Sequence, residues 1–484
     1  MPNNNFNITN SFNLMQKKTK IIATLGPACE SEEKITDLIN KGANIIRFNT
    51  KHNTYEWHNK KIELVRKIAK KLEKSIGVLV DLQGPDIRIE HIKTTPLILA
   101  ENTIVTIGTD LNNDISIAQN IFEKIEKGQK IVIDDGKHVL EAINKTPKFI
   151  ECNVIEGGIL SERKGAFFPG LKVDIPALTE RDLQYIKLAN EVNAEYCALS
   201  FVRTKNDVEH LRHQLNKRGI SKTNIVSKIE TVQALDNIDE IIEASDILMV
   251  ARGDLGVEVP MEAVPIIQKK LVKKMIYASK PIIVATQMLK SMIDSQLPTR
   301  AEISDIANAS FDGADAVMLS EETAIGANAI KAVSIMARTL KYNEMESLLV
   351  DQSANIKLDS PVKAIVYAAE ELQKILVKAK FNPKFFIVLT SSGKTARLLS
   401  ATRPGLPIYA FCPDEFSANI LSIAWGVTSF NIDYEKTITQ TLKKAGKYLI
   451  KKQIAEPGDM AIVIAGQNIG HPGHTDSIRY YEIK

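Results

Sequence analysis

The chain has 484 residues, 44% of them hydrophobic, with 62 basic against 58 acidic side chains and a net charge of +4. That length implies two to four domains, and the apolar content excludes a disordered chain. No run of about eighteen apolar residues occurs, which argues against a membrane span, and the interleaved charges suggest neither nucleic acid nor a membrane as partner while leaving small anionic substrates open.

In chain order, Met1 to Asn13 is rich in asparagine and lacks an apolar core. It reads as a flexible tail, not a signal peptide. Then comes a repeated unit: a short apolar run, ending in polar residues, followed by an amphipathic helix. The runs are Lys20–Leu25, Asn44–Phe48, Val78–Leu82, Glu195–Phe201, Asn224–Ile229, Ile247–Ala251, Pro281–Thr286 and Ala316–Leu319. Their apolar continuity predicts strands buried on both faces, as in a parallel sheet. Helices are predicted over Ser31–Lys41, Thr179–Val192 and Arg300–Phe311. Such alternation predicts a closed (β/α)8 TIM barrel.

One unit is interrupted. Between Arg88 and Thr179 lie the short β-like runs Ile104–Ile107, Lys130–Ile133 and Phe149–Val154, with turns expected at Asp135–Gly136 and Gly157–Gly158. This is a small all-β insertion after a barrel strand, placed to act as a lid. From about Ser353 a separate open α/β domain is expected, with strands at Phe385–Leu389, Pro407–Phe411 and Met460–Ala465 and a helix from Ala396. No low-complexity linker separates it, so the domains are expected to pack together. The division is a tail over 1–18, a barrel over 19–88 and 169–350, a lid over 89–168 and the last domain over 351–484.

Cys29, Cys152, Cys197 and Cys412 form no CxxC pair, so packing roles in a reduced, cytoplasmic setting are expected. His210 and His213 lie on a charged helix and are expected in solvent. His471 and His474 flank a Pro-Gly turn.

Barrel enzymes carry their reactive groups at the carboxyl ends of the strands. Those ends supply Arg47 and Asn49, Asp81, Ser200, Lys228 and Glu230, Arg252 and Asp254, Thr286, then Ser320 and Glu322. Spacing of i, i+2 lets both members of a pair point the same way. Alone, a Lys–Glu pair two apart is more often a surface ion pair, and Arg-Gly-Asp as a tripeptide carries nothing; seven strand ends agreeing reverse that weighting. Glu230 and Asp254 suit a hard divalent cation, which takes one or two carboxylates and leaves its other positions to water and substrate. Lys228 adds fixed positive charge, and the Arg252-Gly253-Asp254 turn offers N–H groups to an anion. Together they suggest a substrate that develops an enolate or transfers a phosphoryl group. Thr390-Ser391-Ser392-Gly393-Lys394-Thr395 looks like a phosphate-cradling turn without full P-loop spacing, and a simple helix cap is the competing reading.

From Lys18 onward the chain resembles pyruvate kinase. The resemblance rests on Thr19–Pro27 (Thr-Lys-Ile-Ile-Ala-Thr-Leu-Gly-Pro), Ser227-Lys228-Ile229-Glu230, Met249–Glu258, Ala285-Thr286-Gln287-Met288-Leu289 and Pro298-Thr299-Arg300-Ala301-Glu302. It implies transfer of the phosphoryl group of phosphoenolpyruvate to ADP, the enolate then being protonated to pyruvate. Lys228 would stabilise the transferring group, Glu230 and Asp254 would hold Mg²⁺ or Mn²⁺, and Gly253, Asp254 and Thr286 would bind the substrate carboxylate, with Thr286 on the proton-delivery side. Arg47 and Arg88 would hold phosphates; Asn49, His52 and Lys164 would complete the nucleotide side; Ser320 and Glu322 would belong to the proton relay. A homotetramer and an effector site at Thr390–Thr395 are also implied, with fructose bisphosphate, a sugar monophosphate and AMP all compatible.

The departures are informative. The family's potassium ligands fall on Asn49, Lys51, Asp81 and Leu82, so two oxygen ligands are missing and one has become an ammonium group. The expectation is that Lys51 occupies the monovalent-cation position, paired with Asp81 or Asp86, and that potassium is not required. Glu321 stands where the family usually has Gly, and Phe167 where it has Asn. Competing readings are a metal-dependent 2-keto acid aldolase and a catalytically weak metabolite sensor.

Overall fold

The computed structural model describes residues 17–134, 136–171, 175–217, 222–346, 356–466 and 475–484. Lys20–Thr24, Ile45–Asn49, Gly77–Asp81, Tyr196–Leu199, Asn224–Ile229, Ile247–Ala251, Ile282–Ala285 and Ala316–Leu319 form a closed parallel barrel. Each strand pairs with the next, and the first pairs with the eighth. Burial on both faces is visible residue by residue. Ile21 and Ala23 pack outward with the helices, whereas Ile22 between them belongs to a second cluster inside the barrel. The helices begin where hydroxyl caps satisfy their first N–H groups: Thr179 and Asp182 form a reciprocal capping box before Glu180–Glu191, and Thr299 and Glu302 do so before Arg300–Asp312.

The insertion has its own apolar core, running from Ile89 to Phe168, and consists of a seven-stranded sheet and a two-stranded ribbon. The turn expected at Gly157–Gly158 is instead the start of a strand, Gly158–Leu160, paired with Leu97–Leu99. A Cβ at Gly157 would lie 2.3 Å from the Leu99 carbonyl oxygen, and Gly158 has φ +141°, so close approach of two strands, not chain reversal, demands these glycines. Asp135 of the other expected turn lies outside the described residues.

The C-terminal sheet runs Val427–Asn431, Ile408–Cys412, Pro383–Leu389, Met460–Ala465, Ser477–Glu482; the first four are parallel and the last is antiparallel. The helix expected from Ala396 begins at Lys394. This domain packs under the amino-terminal end of the barrel. Barrel residues Ile22, Leu79, Tyr196 and Met249 share one apolar cluster with Val366, Phe386, Leu399 and Ile420. The Tyr196 hydroxyl donates to the Ile420 carbonyl (2.9 Å), the Lys20 ammonium to the Val427 carbonyl (2.5 Å), and Arg403 pairs with Asp315 at 2.9 Å in full burial. The floor is thereby closed, and the carboxyl ends of the strands open toward the insertion. Among the described residues no helix is long and apolar enough to cross a membrane.

All four cysteines are buried and free. His210 and His213 are exposed on Lys205–Lys217. His471 and His474 lie outside the described residues.

Candidate active site at the mouth of the barrel

The fifth strand, Asn224–Ile229, carries Lys228 near its end with the side chain 13% exposed. The ammonium lies 2.9 Å from Glu230 Oε1 and 3.8 Å from Asp81 Oδ1, and donates to Ser200 Oγ at 2.8 Å. Three strands therefore set its position. Burial acts to lower the Lys228 pKa, but Asp81, Glu230 and Asp254 outweigh it and hold the group above the usual lysine value. The lysine stays charged. Asp81 in turn accepts from Arg47 Nε at 2.6 Å, and Arg47 also donates to Thr24 Oγ1 at 3.0 Å. Two cations and two carboxylates interlock across the second, third and fifth strands, with Ser200 after the fourth strand between them.

Glu230 is 1% exposed and accepts from the Phe201 backbone N–H through Oε2 (2.7 Å). Its Oε1 meets the Lys228 ammonium as an ion pair at 2.9 Å and takes no hydrogen bond from the backbone. A buried carboxylate oxygen left in that state fits a cation ligand. Among the described residues no group of three or more His, Cys, Asp or Glu gathers as a protein-only metal cage, so the donor set suits a hard ion completed by water and substrate oxygens rather than a structural zinc.

The sixth and seventh strands supply the next wall. Asp254 lies in the first turn of the helix Arg252–Glu258. The Gly253 N–H donates to Thr286 Oγ1 at 2.8 Å. Thr286 and Gln287 both adopt left-handed backbone (φ +71° and +56°), which is unusual outside glycine and most of all for the β-branched Thr286. Ser320 directly follows the eighth strand. Glu322, 2% exposed, accepts from the Ser320 N–H (2.7 Å) and the Leu289 N–H (3.2 Å). Its carboxylate is occupied by backbone, so geometry supports a holding role there over contact with a substrate. Glu321 is exposed.

The side toward the insertion gathers Asn49, Lys51, His52, Asp86, Arg88 and Lys164. Lys51 pairs with Asp86 Oδ2 at 2.9 Å, and Arg88 donates to the same oxygen at 2.6 Å. Of the two partners expected for Lys51, Asp86 is the one used, because Asp81 is engaged by Arg47. Asn49 Oδ1 accepts the Lys51 N–H (3.1 Å). Partial burial and the positive charges of Lys51, Arg47, Arg181 and Arg88 lower the His52 pKa. Lys164 of the insertion pairs with Asp134 at 3.0 Å. Leu82 is buried, and its carbonyl accepts from Ser200 Oγ. Phe167 pairs with Val132 in the insertion sheet.

Thr390–Thr395 is not brought to this mouth; it follows the strand Pro383–Leu389 of the C-terminal sheet. Gly393 takes φ +76°, and Thr395 Oγ1 lies 2.6 Å from Thr475 Oγ1. Asp305, which grips Arg252 at 2.7 Å from the middle of a helix, escaped sequence reading, because nothing in its local sequence distinguishes it from a surface carboxylate. Asp86 was expected as a partner of Lys51, but its second bond, to Arg88, was not.

A closed parallel barrel with a charged lysine among carboxylates at the carboxyl ends of its strands, and a β insertion beside them, defines a barrel phosphotransferase that handles anions. Residues 16–333 match the family model described as "Pyruvate kinase, barrel domain", and residues 362–480 match "Pyruvate kinase, alpha/beta domain". Curated relatives include the pyruvate kinases of Staphylococcus epidermidis (38% identical, covering 96% of this chain and 80% of that protein) and Clostridium perfringens (37%, covering 96% and 100%). A crystal structure of a pyruvate kinase from Cryptosporidium parvum superposes with a TM-score of 0.90 at 33% identity, covering 97% of each chain. The chain belongs to the pyruvate kinase family. Neither the aldolase nor the sensor reading finds support in these relatives.

Proposed function

We propose that this mouth transfers the phosphoryl group of phosphoenolpyruvate to ADP, giving pyruvate and ATP as a step of glycolysis. The observation that carries the reading is the buried Lys228 ammonium, fixed by Glu230, Asp81 and Ser200 where strand ends converge. A fixed positive charge there stabilises the transferring phosphoryl group more than the bound ground state, because the site is already organised for that charge. Glu230 and Asp254 hold Mg²⁺ or Mn²⁺. Bound there, the ion supplies Lewis-acid polarisation of the substrate oxygens. Arg47 binds the phosphate, the Gly253–Asp254 helix start and Thr286 take the carboxylate, and Asn49, His52, Arg88 and Lys164 face the nucleotide. Ser320 and Thr286 serve the proton side, with Glu322 holding both loops. A coupled assay with phosphoenolpyruvate, ADP and Mg²⁺ tests this; no pyruvate from the wild type, or a Lys228→Ala variant of unchanged activity, overturns it.

The Lys51–Asp86 pair further supports a built-in cation in place of bound potassium. Replacing potassium with a bulky organic cation leaves activity in place on this reading; strong activation by potassium defeats it. A homotetramer in the cytoplasm and a phosphorylated effector at Thr390, Ser391, Ser392, Gly393, Lys394 and Thr395 complete the proposal. Sedimentation checks the assembly, and a screen of sugar phosphates and AMP checks the effector.

A further inference from the structure

The loop after the seventh strand carries the strain of the site. Thr286 and Gln287 are consecutive left-handed residues without a glycine, and such conformations persist only where their surroundings impose them. The surroundings here centre on one side chain. Arg252 donates from NH2 to the Thr286 carbonyl (2.7 Å), from Nε to the Ala285 carbonyl (3.3 Å), and also contacts Met288 Sδ. Its NH1 is anchored on Asp305 Oδ1 at 2.7 Å, and the side chain is 14% exposed. The planar fork of a guanidinium serves these directions at once, which a lysine ammonium at the same site does not. From the next residue, the Gly253 N–H donates to Thr286 Oγ1. The hydroxyl oxygen is thus pinned as an acceptor, leaving its own proton for the mouth.

We infer that Arg252 and Asp305 are positioning residues that hold the Thr286 hydroxyl in line with the reacting enolate. This rests on the proposed reaction, in which Thr286 lies on the proton-delivery side. Neither Arg252 nor Asp305 touches substrate; they act through the 285–288 backbone. Loosening the clamp lets the loop relax toward ordinary backbone, and the hydroxyl leaves its direction. The proton step then suffers more than metal or phosphate binding.

The test uses full-length enzyme and two readouts: steady-state kinetics with phosphoenolpyruvate and ADP, and exchange of the pyruvate methyl hydrogens with deuterium oxide, which breaks a C–H bond to form the enolate and returns a deuteron to carbon. Arg252→Lys is expected to slow exchange by about 10- to 100-fold, as a small misplacement of a reacting group does, with Mn²⁺ affinity, read by paramagnetic relaxation of water, within twofold of wild type. Asp305→Asn gives a smaller loss in the same direction and serves if Arg252→Lys folds poorly. In a Thr286→Ala background either change should cost almost nothing more, since the group they position is gone. Exchange by Asp305→Asn and Arg252→Lys within twofold of wild type overturns the inference, as does a loss that multiplies with Thr286→Ala. A wild type inactive with phosphoenolpyruvate and ADP defeats the underlying reaction instead; an active wild type with independent losses defeats only the clamp.

Discussion

The two ends of the barrel bury lysines under opposite electrostatics. At the mouth, Lys228 faces Asp81 and Glu230 within 4 Å, with Asp254 adding to their field, and its pKa is raised. At the floor, burial lowers Lys20 to about 8, with Glu344 and Asp315 opposing only in part. Burial, reinforced by the charge of Lys20, likewise lowers Lys17 to about 7. The ammonium of Lys20 ends on a carbonyl, that of Lys17 on the Asn44 amide oxygen and the Thr19 carbonyl. Desolvation acts at both ends; the count of neighbouring carboxylates decides which way the group moves. The mouth keeps its charge for an anionic substrate, while at the floor Lys20 ties the barrel to the C-terminal domain.

The largest break in that comparison is Lys228→Ala. It removes the fixed charge, and kcat is expected to fall by about 10²- to 10³-fold or more; a loss under tenfold in the coupled assay would contradict the role. At the floor, Arg403→Met removes one side of a pair whose members are 3% and 6% exposed. Urea unfolding should show a loss of about 3–5 kcal/mol from the stranded Asp315, with kcat of the surviving folded enzyme within twofold of wild type. Equal damage to stability and turnover would mean that the floor is not separate from the chemistry. Glu230→Gln should weaken Mn²⁺ binding by at least about tenfold, measured by titration. An unchanged dissociation constant would remove Glu230 from the ion's ligand set.

The smallest effect concerns pH. In the fold Lys20 has a pKa of about 8, below the ordinary lysine value of 10.5. Between these values the unfolded chain holds more protons, so stability rises with pH there; below about 8 the full penalty is present. The window is worth about 1–3 kcal/mol. Subtracting the curve of Lys20→Met from that of wild type should isolate this rise between pH 8 and 10.5. A difference that stays flat would show that Lys20 titrates normally.

Much of this molecule was legible beforehand. The barrel strands were found to within two or three residues because burial on both faces leaves uninterrupted β-branched runs. The edge strand Ser477–Glu482 was missed because its residues are largely exposed or half-buried, and Val427–Asn431 because the polar Thr428, Ser429 and Asn431 interrupt its apolar run. At the site, i, i+2 spacing placed Lys228 beside Glu230, and strand ends collected Arg47, Asp81 and Thr286. Spacing said nothing of Asp305, nineteen residues after Thr286 and in the middle of the helix Arg300–Asp312, or of Asp86 serving both Lys51 and Arg88.

By itself, then, the sequence determined the periodicity of the barrel and the residue types at its mouth, since both are local properties of strands and of the residues that end them. Only the tertiary structure decided which carboxylate each cation takes: Asp81 for Arg47, Asp86 for Lys51, Asp305 for Arg252. Such pairing depends on distances of a few ångströms between segments far apart in the chain, and Coulomb energy and hydrogen-bond direction are set by those distances.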